Sequence, residues 1–519
     1  MKYVSVLSLF IFSFLINIQG QRKYYFTGKG TNEGIGTKRQ PFTSLKKLSH
    51  LKLQPGDTVF LHVGETIAGN ISLNDIHGTK KHKIVFTSYG KGKSIIDGGN
   101  KEALVVIASD YFQIVNLALK GSGRKEGNTA NGLKLVNCKH AEIRNLDISG
   151  FQKSGLILYN CETAEVNNVF AHDNGFAGIL VEGDYQKRIS KNIHIINCRA
   201  DNNPGDPSNL TNHSGNGILV GNCKNILVEY CTATNNGWDM PRIGNGPVGI
   251  WAYEADSLII QHCISYRNKT AKGAADGGGF DLDGGVTNSV IQYCLSYENS
   301  GSGYGIFEYS GAEKWYNNTL RYCISLNDGY ITDPASGMLI WNGWNVDSMF
   351  TDFHAYNNFF YNDRKYAFSF SDQSLHRKFS FFNNVFVASD TSDIFNGADS
   401  SSNDIFLGNV WMKKKGGFTQ NGFGNLERWS EATGYELESG KVTGTSFQGQ
   451  LFALNSHINI TDPYSLKTNS LLVSLCKYAL RNKGIDVRKM FSVDVGKSDF
   501  FGHAIPSSGS FNAGVCEAQ

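Results

Sequence analysis

One short strand-like pattern returns nine times along this 519-residue chain. It begins at Leu133 (LKLVN), Leu156 (LILYN), Ile179 (ILVEG), Ile218 (ILVGN), Ile250 (IWAYE), Phe280 (FDLDG), Ile306 (IFEYS), Met338 (MLIWN) and Phe368 (FSFSD). A glycine stands one residue before most of these starts, at Gly155, Gly178, Gly217, Gly249, Gly279, Gly305 and Gly337. Successive starts lie 23 to 39 residues apart, so the shortest spacing reads as one bare coil and the longer ones as a coil plus a loop. A second series runs in phase with the first: INCRADNN, EYCTATNN, QHCISYRN, QYCLSYEN and RYCISLND. Self-similarity at such a period means stacked units, each burying its apolar face against the next. The runs are too short, too β-branched and too often broken by Gly and Asn for helical repeats. The chain is therefore predicted to be all-β, a right-handed single-stranded parallel β-helix with an N-terminal capping segment and a small C-terminal cap.

A solenoid grows by adding coils, so about 500 residues need not divide into several domains. Residues 1–20 read as a signal peptide: Lys2 is followed by an apolar run from Val4 to Ile16, with Gly20 at a plausible cleavage point. Residues 21–100 are expected to cap the helix and form its first coils, 101–400 to form the β-helix, and 401–519 to supply final coils and the cap. The chain is expected to be exported to the periplasm or beyond. No second long apolar run follows, so no membrane span is predicted. A net charge of +3 argues against a dedicated nucleic-acid binder, and a monomer is expected. Of the ten cysteines, Cys198, Cys231, Cys263, Cys294 and Cys323 share one phase and read as a buried ladder, without metal-ligand spacing. Cys476 and Cys516 stand outside it and are able to pair.

Alternation along each strand locates a surface. With the first and third residues of each segment inward, the outward set includes Leu180 and Glu182, Leu219 and Gly221, Trp251 and Tyr253, Asp281 and Asp283, Phe307 and Tyr309, then Leu339 and Trp341. Coils stack at ~4.8 Å, so these side chains form one stripe in which two aspartates lie between aromatic rings. Aromatics shown to water in a row indicate a binding surface, and sugar rings suit such platforms. The longest loops, DNNPGDPSNLTNHSGNG, NNGWDMPRIGNGPVG and NKTAKGAADGGG, arrive directly before strands of the stripe. They are expected to wall the cleft with His213, Trp238, Arg242, Lys272 and Asp276.

Two chemistries fit. Asp281 and Asp283 at i and i+2 place carboxyl groups about 6–7 Å apart, and paired carboxylates serve as acid and base in glycoside hydrolysis. Alternatively, Asp276, Asp281 and Asp283 offer oxygen ligands for calcium. The ion would hold a uronate while a neighbouring base, His213 or Lys272, removes the C5 proton, giving β-elimination. Trp251, Tyr253, Trp238, Arg242, Phe307, Tyr309 and Trp341 are the expected substrate contacts. A non-catalytic glycan-binding module would account for the aromatics but not for the clustered acids.

The segment from GPVGIWAYEADS to GSGYGIFEY is similar to a stretch of bacterial β-helix proteins from polysaccharide-utilisation loci. These include polysaccharide lyases, β-helical glycoside hydrolases and oligosaccharide dehydratases of ulvan-degradation loci. YYFTGKGTNEGIGTKRQPFTSLKKL and KGIDVRKMFSVDVGKSDFFGHAIPSSGSFNAGV resemble the first and last segments of the same proteins. The low-Pro, Asn- and Lys-rich style resembles marine Bacteroidetes proteins. The resemblance implies the β-helix fold and an exported carbohydrate-active enzyme. It tips the balance toward elimination on a uronic-acid poly- or oligosaccharide, such as one of the ulvan type, with hydrolysis as the alternative. The pectate-lyase and polygalacturonase signatures themselves are absent.

Overall fold

The computed structural model describes residues 21–30, 34–371, 375–397, 403–454, 458–490 and 494–518. The expected signal peptide lies outside them. From Lys23 to Lys413 the chain winds as a parallel β-helix whose coils stack through three faces. The first face carries the repeat: among its strands are Leu133–Val136, Ala177–Glu182, the start of Ile250–Gln261, Phe280–Leu282, Tyr304–Glu308 and Met338–Asn342. The second includes Thr58–His62, Ser190–Ile196 and Val290–Gln292. The third includes Arg199–Asp201, Ile264–Tyr266 and Val385–Ala388. Alternate residues point into one continuous core; Ile250, Ala252, Phe280, Leu282, Tyr304 and Ile306 are all fully buried.

Three side-chain columns make the coils register. Glycine forms the first. The amide of Ile250 donates to the Gly279 carbonyl, that of Phe280 to Gly303 and that of Tyr304 to Gly337, each at 2.9–3.0 Å. A Cβ on Gly303 would lie 2.5 Å from Ser325 Oγ and 2.6 Å from the Gly337 carbonyl, so no larger residue fits there. The second column is asparagine. The Asn174 amide donates to Asn203, Asn203 to Asn236, Asn236 to Asn268, and Asn268 to Asn299, which donates to Asp328. A shorter row, Asn358, Asn384 and Asn409, ends in the same way on Glu436. The third is the cysteine ladder, whose five members are buried and unbridged. Residues at the corners, such as Asn202, Asn235 and Asn327, adopt φ near 52–56°, a left-handed conformation that Asn tolerates better than most residues.

The glycine column corrects one expectation. Phe280 pairs with Tyr304, and Tyr304 with Met338. The strand thus starts at Tyr304, two residues before Ile306, and Gly303, not Gly305, belongs to the column. Asp281 consequently neighbours Gly305, and Asp283 is level with Phe307. Tyr309 lies past the strand end. YGIFEY offers two glycines in the same alternation, and the core takes the larger Tyr304 ring.

At the N-terminus, Lys23–Phe26 pairs with Thr58–His62, and a 3-10 turn, Leu45–His50, buries Leu45 and Leu48. At the other end the helix Leu426–Thr433 sets Trp429 against Trp411 and Phe395, sealing the core. The SLLVSLCKYALRNKG stretch forms only a helical turn at Ser470–Val473 and a 3-10 turn at Tyr478–Leu480. Instead of adding to the end cap, the C-terminal residues run back along the third face. Phe452, Ile458, Leu472, Phe500 and Val515 bury the outward Tyr266, Tyr297 and Tyr361. A disulfide joins Cys476 to Cys516. No helix among the described residues is long and apolar enough to cross a membrane.

Candidate active site

A cleft of about 830 Å³ opens over the first face. Its floor is the outward stripe from Trp251 to Trp341, its centre is Asp281 and Asp283, and one wall is the set of loops before the strands, which brings His213 and Asp276 to the same space. The opposite wall was not foreseen. The loop after Glu182 reaches over several coils: Tyr185 Oη and Gln186 Nε2 donate to the Gly311 carbonyl at 3.3 and 3.1 Å, and Arg188 pairs with Glu313 at 2.9 Å. Tyr185 thereby lines the cleft, half exposed.

Absent side chains shape the floor. A Cβ on Gly305 would meet the Phe307 ring at 2.7 Å and Asp281 Oδ1 at 2.9 Å; one on Gly221 would meet the Tyr253 ring at 2.5 Å. The aromatics are mostly not exposed as expected. Trp251 and Phe307 are buried, Tyr253 and Tyr309 are partly covered, and Trp341 alone of this set is open to solvent at 37%. Each is tied down: Trp251 Nε1 donates to Asn216, Tyr253 Oη to Glu182, and Phe307 and Trp341 meet edge to face at 6.0 Å. They form the walls of a pocket more than an open platform.

The three aspartates stand in unlike surroundings: Asp281 is buried, whereas Asp276 and Asp283 are half-buried. Asp276 Oδ2 accepts from the Gly246 amide at 2.8 Å, and burial raises its pKa to about 6. Asp283 Oδ1 accepts from the Gly284 amide at 2.8 Å; burial, then the neighbouring carboxyls of Asp276 and Glu254, raise it to about 7. Asp281 Oδ1 has no hydrogen-bond partner, and burial together with Asp283 and Asp276 raises it well above the ordinary carboxylate range. Two further acids escaped the sequence reading. Glu254 and Glu308 lie fully buried at the strand ends of the coils on either side of Gly284. Glu254 Oε1 accepts from the Glu313 amide and from Gln186, whereas both Glu308 oxygens are unpartnered. Burial and Asp283 raise Glu308 to about 9. Their shared place at the fifth position of IWAYE and two residues after Ile306 was a usable signal, hidden by the misplaced strand start.

Several expected contributors sit elsewhere. Lys272 is exposed on its loop and is not among the cleft-lining residues. Trp238 is turned to the outside of the wall, where its Nε1 donates to Asn202 and the Arg124 guanidinium lies over its ring. Arg242 binds the carbonyl and side chain of the lining residue Asn245 but is not itself among the lining residues. Among the described residues, the lining therefore contains no Lys or Arg. His213 does line the cleft, but its Nδ1 is occupied by the Asn216 amide at 3.0 Å. Burial and the Arg242 charge lower its pKa to about 4. Among the described residues, three acidic, His or Cys ligand atoms come within 4.8 Å of one another only at Asp499, His503 and Cys516. Cys516 is disulfide-bonded there. Asp276, Asp281 and Asp283, the residues expected to hold calcium, do not meet that spacing.

The sequence profile of the Pel9A-like, right-handed β-helix region matches residues 24–327. Among solved structures, a GH136 lacto-N-biosidase from Eubacterium ramulus is similar at 16% identity over 74% of this chain and 67% of that one, with a TM-score of 0.45. Pectate lyase Pel9A is similar at 14% identity over 97% and 98%, with a TM-score of 0.42. An alginate lyase from Paenibacillus sp. str. FPU-7 is similar at 15% over 64% and 94%, with a TM-score of 0.31. Among curated proteins nothing matches.

Proposed function

The chain belongs to the Pel9A-like right-handed β-helix family, and on that premise we propose that it is a carbohydrate-active enzyme cleaving a glycosidic bond of an uncharged glycan by hydrolysis. The observation that carries this reading is the acid cluster in a cleft lined, among the described residues, by no Lys or Arg. Elimination at a uronate needs positive charge on the sugar carboxylate and a base for the C5 proton. Here the carboxylate would meet four aspartates, Lys272 is outside, and the Nδ1 lone pair of His213 is already used. Hydrolysis needs a protonated carboxyl beside the leaving oxygen and an ionised one for water or the anomeric carbon. Asp281 and Asp283 titrate as a coupled pair pushed upward, so the pair retains a proton near neutrality and supplies the acid. Asp276, lowest of the three, supplies the carboxylate. Tyr185 and Trp341, the more exposed rings, offer stacking at the mouth.

The test is incubation of the full chain with neutral and uronate-containing oligosaccharides, reading new reducing ends, product mass and absorbance at ~235 nm. Water uptake on cleavage of a neutral substrate is expected. An unsaturated product from a uronate would overturn the reading in favour of elimination, whether by lyase or dehydratase action. Binding without any turnover would leave a glycan-binding module.

A further inference from the structure

Asn216, Trp251 and His213 form a buried chain whose direction is fixed by chemistry. An indole N–H only donates, so the atom 3.0 Å from Trp251 Nε1 is the Asn216 carbonyl oxygen. The Asn216 NH2 must then face the other way. It donates to the Phe176 carbonyl at 3.1 Å, which only accepts, and to His213 Nδ1 at 3.0 Å. A carboxamide nitrogen does not accept, so Nδ1 carries no proton and the ring is the neutral Nε2–H tautomer. The imidazole is held edge-on to Trp251 at 4.9 Å and tilted against Phe176 at 5.7 Å, so it cannot turn over without breaking both contacts. Among the described residues His213 Nε2 has no hydrogen-bond partner and is not sealed from solvent, while the ring itself lines the cleft.

We propose that the Trp251–Asn216–His213 chain makes His213 a fixed hydrogen-bond donor for a neutral acceptor oxygen of the bound sugar, with Asn216 as the positioning residue. This rests on the reading of the cleft as a glycan site and assigns His213 a recognition role in place of proton transfer. The acceptor is a hydroxyl or an N-acyl carbonyl oxygen. The surrounding acids disfavour a carboxylate or sulfate in that position, because four carboxyl groups line the cavity without a lining Lys or Arg among the described residues.

Two measurements test the proposal. The first needs no substrate: 15N NMR of histidine-labelled protein at pH 7 should show His213 with a bare Nδ1 and a protonated Nε2. In Asn216→Leu the Nδ1 partner is lost and a tautomer mixture should appear. An imidazolium, or an Nδ1–H tautomer in the wild type, overturns the proposal. The second reads binding on Asp283→Asn, to suppress turnover, with cellotetraose and with chitotetraose, which differ in the N-acyl group. His213→Phe should weaken the better ligand about tenfold, and His213→Gln, whose amide still donates, should recover most of that. Equal loss in Phe and Gln variants overturns the donor role. The correct tautomer with no affinity for either sugar would leave the locked chain standing and defeat both the donor assignment and the neutral-glycan reading. A substrate preference confined to chitotetraose identifies the N-acyl oxygen as the acceptor, and equal preference identifies a hydroxyl.

Discussion

Asp276, Asp281 and Asp283 occupy eight consecutive positions of the chain but three environments, and proton affinity follows environment. Activity should therefore rise with pH through about 6 as Asp276 ionises and fall through about 7 if Asp283 is the proton donor of the pair. A kcat/KM profile on a neutral oligosaccharide checks this, and a plateau extending to pH 9 would contradict it. Asp283→Asn and Asp276→Asn should each lower kcat by about 10²–10⁴-fold while circular dichroism stays unchanged. Glu308 makes a different prediction, one of stability. Its folded pKa of about 9 stands above that of an unfolded Glu, near 4.5. Both states are protonated below about pH 4.5; above it the unfolded chain ionises first, and stability is lost until about pH 9. Glu308→Gln removes that loss, so its melting temperature relative to the wild type should climb from pH 4.5 to pH 9. A flat difference across that range would show that the buried carboxyl does not hold its proton.

Elements here are specified less by strand propensity than by what stands in the columns. Asn268 both accepts from Asn236 and donates to Asn299, and its Nδ2 also reaches the Ala233 carbonyl. Replacing it with Leu leaves buried polar groups on both neighbouring coils unpaired, which should cost about 2–4 kcal/mol in a denaturant titration. The columns also explain what could be read from the sequence. Gly, Asn and Cys recur at fixed phase because only their size and bonding suit those positions, so the repeat, the faces and the outward aspartates were legible. The Tyr304 register was not, because Gly303 and Gly305 satisfy the same pattern and only packing distinguishes them. Lys272, Trp238 and Arg242 were placed by loop proximity alone. Nothing in a loop's sequence tells which partner a long side chain takes, and Arg242 is held by Asn245.

For the whole molecule, the C-terminal strap matters more than the end plug. It covers the outward aromatics of the third face, and Tyr297 Oη donates to the Ile460 carbonyl while Arg267 reaches that of Ile458. The Cys476–Cys516 bond closes a 40-residue separation within this strap. The double variant Cys476→Ser, Cys516→Ser should lose about 2–4 kcal/mol, read as a lower denaturation midpoint, and should expose apolar surface to a hydrophobic dye before the first-face cleft is disturbed. Dye binding that appears only with global unfolding would show the strap and solenoid to be one cooperative unit.

The asparagine rows carry one more implication. Every rung hands a proton donor to the next, and each row closes on a residue that receives without passing anything on, Asp328 in one and Glu436 in the other. The stack is thus a polymer with a direction and a written terminus. A duplicated coil spliced between the Asn236 and Asn268 rungs would be admitted without an unmet bond and would lengthen the cleft. One spliced after Asp328 would find no donor offered to it. The asparagine row ends there, while the coils themselves continue: Ile324–Leu326 still pairs with Phe359–Tyr361 beyond it.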